Sequence, residues 1–166
     1  RFPMLNLPQD FKDLLQILSD NHVQYMIVGG YALSLYAAPR ATGDIDLFVK
    51  IDPDNAARIL QSLKEFGFGG LGICEKDLLT PEQVLQLGYP PNRIDILTSI
   101  EGVSWEEAFA NCNHIAHAGL NLPVIGKNEL IKNKQSTGRL KDMADVESLQ
   151  KDRNLSKKKP VRGMDL

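Results

Sequence analysis

The chain has 166 residues, 43% of them hydrophobic, and a formal net charge of −2 at neutral pH, which suits one domain with a real core. Its two cysteines, Cys74 and Cys112, form no Cys-x-x-Cys unit, which argues against a disulfide framework or a zinc site. No apolar run nears the length of a membrane span and no signal-peptide pattern is present, so a cytoplasmic location is the expectation.

In chain order, Phe11, Leu14, Leu15 and Leu18 mark one face of an amphipathic helix. Val23 to Val28 reads as a strand running into Gly29-Gly30, and Tyr31 to Ala38 as a short helix. That helix opens beside a tight turn, a natural seat for phosphate. The run Arg40-Ala41-Thr42-Gly43-Asp44-Ile45-Asp46-Leu47-Phe48-Val49 contains a second strand. Because strand side chains alternate, Asp44 and Asp46 share one face while Ile45, Leu47 and Val49 take the other. Adjacent carboxylates on a rigid strand repel and need a compensating charge. Hard oxygen donors beside a phosphate seat favour Mg²⁺ or Mn²⁺ over zinc. The pair therefore reads as a metal clamp rather than as solvated acids on an edge strand.

Asp52-Pro53 starts a helix with Ala56, Ile59, Leu60, Leu63 and Phe66 on one face, stopped by Gly67. The glycines from Gly67 to Gly72 lack the G-x-G-x-x-G spacing of a dinucleotide site and read as a loop. Thr80-Pro81-Glu82 reads as the cap of another short helix, and Gly88-Tyr89-Pro90-Pro91 as a turn into an apolar strand, Asn92 to Thr98, that carries one acid, Asp95. Three acids on neighbouring strands can hold two metal ions. Ser104 caps a helix in which Trp105, Ala108 and Phe109 read as core, and short strands follow at 114–117 and 121–124. His114 and His117 would face opposite sides of a strand, with no Cys or acid at ligand spacing. No Ser-His-Asp or Cys-His arrangement is evident. The last helices run over 127–136 and 140–151.

Charge is unevenly spread. Residues 1–126 carry 8 Lys/Arg against 15 Asp/Glu, a balance of −7, and residues 127–166 carry 11 against 6, a balance of +5. An acidic part suits a metal site and a basic part a triphosphate or nucleic acid, although the run Lys157-Lys158-Lys159 reads as a solvated tail.

A Gly-Gly turn, an apolar-flanked Asp-x-Asp about a dozen residues on and a later strand Asp resemble the nucleotidyltransferase superfamily that includes DNA polymerase β. The chain is most similar to its small prokaryotic branch, with the abortive-infection type IV (AbiEii-like) toxins and the antibiotic nucleotidyltransferases. The run Lys134-Gln135-Ser136-Thr137-Gly138-Arg139-Leu140-Lys141-Asp142-Met143-Ala144-Asp145 fits that branch's C-terminal helical motif. The resemblance covers about residues 23–150. It implies an α/β (α+β) fold: a mixed sheet backed by helices, with a small C-terminal helical lobe. The single domain would span 1–152, its core about 23–126 and its C-terminal helices about 127–152, ahead of a polar basic tail at 153–166.

The resemblance also implies roles. Gly29 and Gly30 would let the protein backbone approach the nucleotide triphosphate, with Arg40 and Thr42 counted among the nucleotide-binding residues. Asp44, Asp46 and Asp95 would hold two Mg²⁺ or Mn²⁺ ions, and Asp95 would help deprotonate an acceptor hydroxyl that attacks the α-phosphate and expels pyrophosphate. Lys134 and Arg139 would neutralise phosphate charge, and Asp142 and Asp145 would orient them. Many superfamily members have Gly-Ser where this chain has Gly29-Gly30, which removes one side-chain hydrogen bond to phosphate. The acceptor (tRNA, protein or small molecule) is left open, as is an acceptor site shared with a partner protein or second copy. A toxin–antitoxin role is the leading physiological expectation, and a non-catalytic nucleotide- or partner-binding protein with this fold is the alternative.

Overall fold

The computed structural model describes residues 6–37 and 43–158, with side chains as far as Lys151. Short apolar runs form β1 (Tyr25–Val28), β2 (Ile45–Val49), β3 (Val84–Leu87), β4 (Ile94–Leu97), β5 (Asn113–His117) and β6 (Leu120–Val124). They make one mixed sheet in the order β3-β4-β2-β1-β6-β5. The β1–β2, β3–β4 and β5–β6 pairs are antiparallel, whereas β1–β6 and β2–β4 are parallel. Strands β1, β2 and β4 are mostly buried, as their apolar residues require, whereas β3, β5 and β6 include exposed positions.

The helices are α1 (Gln9–Asp20), α2 (Gly29–Tyr36), α3 (Pro53–Phe66), α4 (Glu75–Leu79), α5 (Trp105–Asn111), α6 (Lys127–Thr137) and α7 (Leu140–Lys158). All four apolar positions read on α1 are buried, and α1 packs on α3. Asp52 caps α3, its carboxylate accepting from the Asn55 amide at 3.0 Å, with Pro53 in the first turn and Gly67 ending the helix. Asn55 is fully buried and ties two strands together. Its Oδ1 accepts from the Gln24 amide at 2.7 Å and its Nδ2 donates to the Gln24 and Lys50 carbonyls at 3.0 and 2.9 Å. Helices α6 and α7 pack on each other and on α2, forming the C-terminal helical lobe. No helix among the described residues is long and apolar enough to cross a membrane.

Four local readings change. The first strand begins at Tyr25 and the following helix at Gly29, so the glycine turn is also the first turn of α2. Thr80 ends a helix instead of starting one: its hydroxyl donates to the Lys76 carbonyl at 2.6 Å, while the Cys74 amide donates to Asp77 at 2.9 Å to open α4. The residues beyond form β3, where Val84 and Gln86 are exposed and Leu87 is buried, a period of two. Phe109 is half exposed and stacks on Trp105 at 5.7 Å between centroids, because α5 is short and buries only Trp105 and Ala108.

Asn55→Ala should destabilise the fold by about 2–4 kcal/mol, since it removes three hydrogen bonds from a buried side chain to the backbone of Gln24 and Lys50, at the ends of β1 and β2. Urea unfolding would measure it, and a loss under ~1 kcal/mol would show that this clamp is dispensable.

Candidate active site

Strand pairing decides where the acids meet. Val28 lies opposite Asp46 across β1 and β2, and Asp46 lies opposite Asp95 across β2 and β4. The Gly29 turn and two of the acids therefore share one end of the sheet. Asp44 sits just ahead of β2 on the face of Asp46. Gly29 has φ of +68°, and a Cβ there would stand 2.0 Å from Asp46 Oδ2. The absent side chain is thus the space the Asp46 carboxylate uses, and the backbone conformation is one that glycine adopts without strain.

Arg93 completes this cluster. Its Nε donates to Asp95 Oδ1 at 2.8 Å and its Nη2 to Asp95 Oδ2 at 3.0 Å, and the same Nη2 stands 2.9 Å from Asp44 Oδ2. The ladder bond from the Ile45 amide to the Arg93 carbonyl, 3.0 Å, brings this residue level with the acids. The sequence reading passes over Arg93. Its signal was the i, i+2 spacing to Asp95, which puts both side chains on one face of a strand. Even with this cation present, the Asp46 carboxyl is pushed up to about 7, first by burial, then by the charge of Asp95 and a hydrogen bond with it, and by Asp44, with Arg93 offsetting only part.

The C-terminal motif is largely self-contained. Gly138, at φ of +69°, turns the chain between α6 and α7. Lys134 is buried and its Nζ reaches Asp142 at 3.2 Å and Asp145 at 2.9 Å. Asp142 also accepts from the Thr137 hydroxyl and from Arg139 Nε, each at 2.6 Å. Burial raises the Asp142 carboxyl, but the hydrogen bonds from Thr137 and Arg139 and the charge of Lys134 outweigh it and leave it below its usual value. Asp142 thus pairs with both Lys134 and Arg139, and Asp145 with Lys134. Lys134 directs its charge to them, and the Arg139 side chain is 68% exposed.

One open cleft of about 1330 Å³ has Gly29, Gly30, Arg93 and the three acids at one end and Lys134, Arg139, Lys141 and Asp142 on the helical side. Arg40 and Thr42 lie outside the described residues. His114 and His117 are on β5 at the far edge of the sheet, and Cys74 and Cys112 are free thiols.

As a donor set for a divalent cation the acids fit: they are hard oxygens, they crowd one another, and the Gly29 cradle holds Asp46 toward Asp95. Among the described residues no three His, Cys, Asp or Glu are already grouped as an ion site. The Arg93 guanidinium joins Asp44 to Asp95 instead.

No protein-family model and no curated protein sequence matches the chain. Solved structures do match. A protein from Thermotoga maritima assigned as a nucleotidyltransferase superposes over 88% of this chain and 91% of its own, with a TM-score of 0.55 and 16% identity. The fold is that of the nucleotidyltransferases. The lincomycin-bound lincosamide antibiotic adenylyltransferase LnuA matches over 87% of this chain and 96% of its own, with a TM-score of 0.51 and 13% identity. An antigenic nucleotidyltransferase-like protein from Paracoccidioides brasiliensis covers 92% of this chain and 78% of its own, with a TM-score of 0.53 and 15% identity. The nucleotidyltransferase fold thus extends over most of the chain.

Two predictions follow the geometry. Gly29→Ala should lower stability by roughly 1–3 kcal/mol through its left-handed backbone alone, and more through contact with Asp46. Thermal unfolding of Gly29→Ala beside Gly29→Ala/Asp46→Gly tests this, with the double variant expected to recover part of the loss. For pH, the Asp46 carboxyl titrates near 7 folded and near 3.8 unfolded, so between these values the native protein holds a proton the unfolded chain has released. That stabilising contribution is lost as pH rises through about 7. Asp142 has the opposite sign: its lowered carboxyl contributes above 3.8, and the contribution is lost as pH falls below that value. Unfolding of the metal-free protein from pH 3 to 9 should show both, and Asp46→Asn should flatten only the upper limb.

Proposed function

We propose that the chain transfers a nucleoside monophosphate from an NTP to an acceptor hydroxyl and releases pyrophosphate. The observation that carries this reading is the opposition of Asp46 and Asp95 across β2 and β4 beside the Gly29-Gly30 turn, within a cleft large enough for a nucleotide and an acceptor together. The nucleotidyltransferase fold supports it, with one matched structure an adenylyltransferase named for an antibiotic substrate.

In this reading Asp44, Asp46 and Asp95 hold Mg²⁺ or Mn²⁺, two ions when nucleotide is present. A bound divalent cation supplies positive charge for the triphosphate and for the departing pyrophosphate. The chain's own residues do the rest. Gly29 and Gly30 let backbone approach the phosphates at the N-terminus of α2, whose partial positive charge faces them. Asp95 takes the proton of the acceptor hydroxyl as its oxygen bonds the α-phosphorus, and the bond from that phosphorus to the bridging oxygen breaks. Arg139, exposed at the cleft wall, neutralises phosphate, and Asp142 aims it. Lys134 fixes Asp142 and Asp145 in place and so acts on Arg139 through them.

The acid-rich end of the cleft makes divalent-dependent binding the expectation, because Asp44, Asp46 and Asp95 outnumber Arg93 and would repel a bare triphosphate. The acceptor is a tRNA, a protein or a small molecule, and the physiological role is that of a toxin–antitoxin component. The ion pairs of Arg93 favour one alternative, a non-catalytic nucleotide-binding protein in which Arg93 permanently neutralises the acids.

Incubation with each α-labelled NTP and Mg²⁺, using RNA, protein and small-molecule pools as acceptors, tests the assignment. Labelled product with pyrophosphate release is expected, and Asp46→Asn should abolish it without unfolding the protein. Nucleotide binding with no transfer to any pool would favour the non-catalytic alternative. Arg139→Lys should cost about 1.5–3 kcal/mol of transition-state stabilisation, roughly ten- to a hundredfold in kcat/KM, because lysine cannot reproduce the bidentate contact. A lower Tm with normal kcat/KM would instead make Arg139 a helix-joining residue.

A further inference from the structure

Among the described residues at the Asp44–Asp95 end of the cleft, Arg93 already does a metal ion's work. Its guanidinium is forked onto Asp95 and shares Nη2 with Asp44, so it touches three carboxylate oxygens on two separate elements. Those are oxygens that the site reading gives to a divalent cation. A guanidinium keeps its proton at any pH a protein survives, so it cannot yield the position by neutralising itself. It has to move. A divalent ion and a guanidinium on the same oxygens would repel each other, and the two states exclude one another.

The structure leaves the side chain able to leave. Arg93 is 25% exposed as a side chain and lines the open cleft, and it is not among the residues of the hydrophobic core. Lys134 is the contrast, at 8% exposed between carboxylates that are 2% and 7% exposed, whereas the partners of Arg93 are Asp44, at 34%, and Asp95, at 10%. What Arg93 needs on leaving is a new anionic partner of matching shape. A nucleoside triphosphate brought to the same end of the cleft offers one, because phosphate oxygens accept the same two-pronged contact as a carboxylate.

We propose that Arg93 is an exchangeable internal cation, which occupies the Asp44–Asp95 seat in the free protein and passes to the triphosphate when a divalent cation arrives with nucleotide. This rests on the reading of the carboxylates as a metal seat. Metal alone then binds weakly, because it must displace Arg93 into solvent, whereas metal and nucleotide bind with positive coupling, each improving the other's affinity by the same factor. Arg93 is a positioning residue for the acids in one state and a phosphate contact in the other.

Mn²⁺ affinity, read by electron paramagnetic resonance with no turnover required, tests the proposal on the wild type, Arg93→Gln and Asp44→Asn, with and without α,β-methylene-ATP. Arg93→Gln is expected to bind Mn²⁺ alone roughly tenfold or more tightly than the wild type and to lose most of the coupling to nucleotide. Equal or weaker Mn²⁺ binding by Arg93→Gln, with Asp44→Asn still removing it from the wild type, overturns the proposal and leaves the metal seat standing. Absence of Mn²⁺ binding by every protein, with or without nucleotide, overturns the seat and the proposal together. Should Arg93→Gln not fold, the ¹⁵N-arginine spectrum of the wild type decides. The Arg93 Nε–H signal should move on adding Mg²⁺ with α,β-methylene-ATP, and an unmoved signal at saturation overturns the proposal.

Discussion

The structure depends on holding two like charges together. Parallel pairing of β2 with β4 sets Asp46 opposite Asp95, and such a pair is destabilising unless the strands are held by something stronger. The strands supply it from their own remaining residues. Ile45, Leu47, Phe48, Ile94 and Ile96 are buried to within a few per cent, each contributing roughly 1.5–3 kcal/mol, so the apolar length of β2 and β4 outweighs the repulsion at one end. Phe48, on the Asp46 face, meets Trp105 of α5 edge-on at 5.2 Å, which puts the anchor on the same face as the strained charge. The acids stay together because the rest of the strands cannot move apart.

That constraint explains the division of cations. The excess of basic residues after residue 126 suits a triphosphate or nucleic acid, but among the described side chains ion pairing takes up part of it. Lys134 is absorbed by Asp142 and Asp145, and Lys132 pairs with Glu107 at 2.9 Å. Among the described residues, the cations that line the cleft are Arg93 beside the acids and Lys134, Arg139 and Lys141 on the helical wall, with Lys134 buried in its ion pairs. A net charge for a segment therefore says little about the field at a site, since paired groups cancel locally.

Periodicity made the helices and central strands legible. The apolar stripe of α1, the Asp52-Pro53 start and Gly67 stop of α3, and the Ser104 cap of α5, whose hydroxyl accepts from the Glu107 amide at 3.1 Å, are local signals with local causes. Thr80 misled because a threonine can cap either end of a helix: here its hydroxyl bonds back to the preceding turn, a choice that sequence alone does not express. Strand β3 was not legible because an edge strand with two exposed positions has little apolar pattern to show. At the site, the three acids and the glycine turn were readable from spacing and family resemblance. Arg93 was missed since attention to the acids excluded the residue that balances them, and the engagement of Lys134 depends on the turn at Gly138, which only tertiary structure folds back.

The two arginine and lysine clusters also differ in what their loss would do, and burial sets the difference. Removing Lys134 would leave Asp142 and Asp145, at 2% and 7% side-chain exposure, without the cation that offsets their desolvation, the situation in which breaking a buried pair is most costly. Removing Arg93 would leave Asp44, at 34% exposure, where water screens the change, although Asp95, at 10%, would lose its two-pronged partner as well. One cation is built into the fold and the other is lodged at its mouth. In the proposed exchange the resident counter-charge is of the second kind: close enough to quiet the acids in the free protein, and open enough to the cleft that a doubly charged ion arriving with nucleotide would take its place.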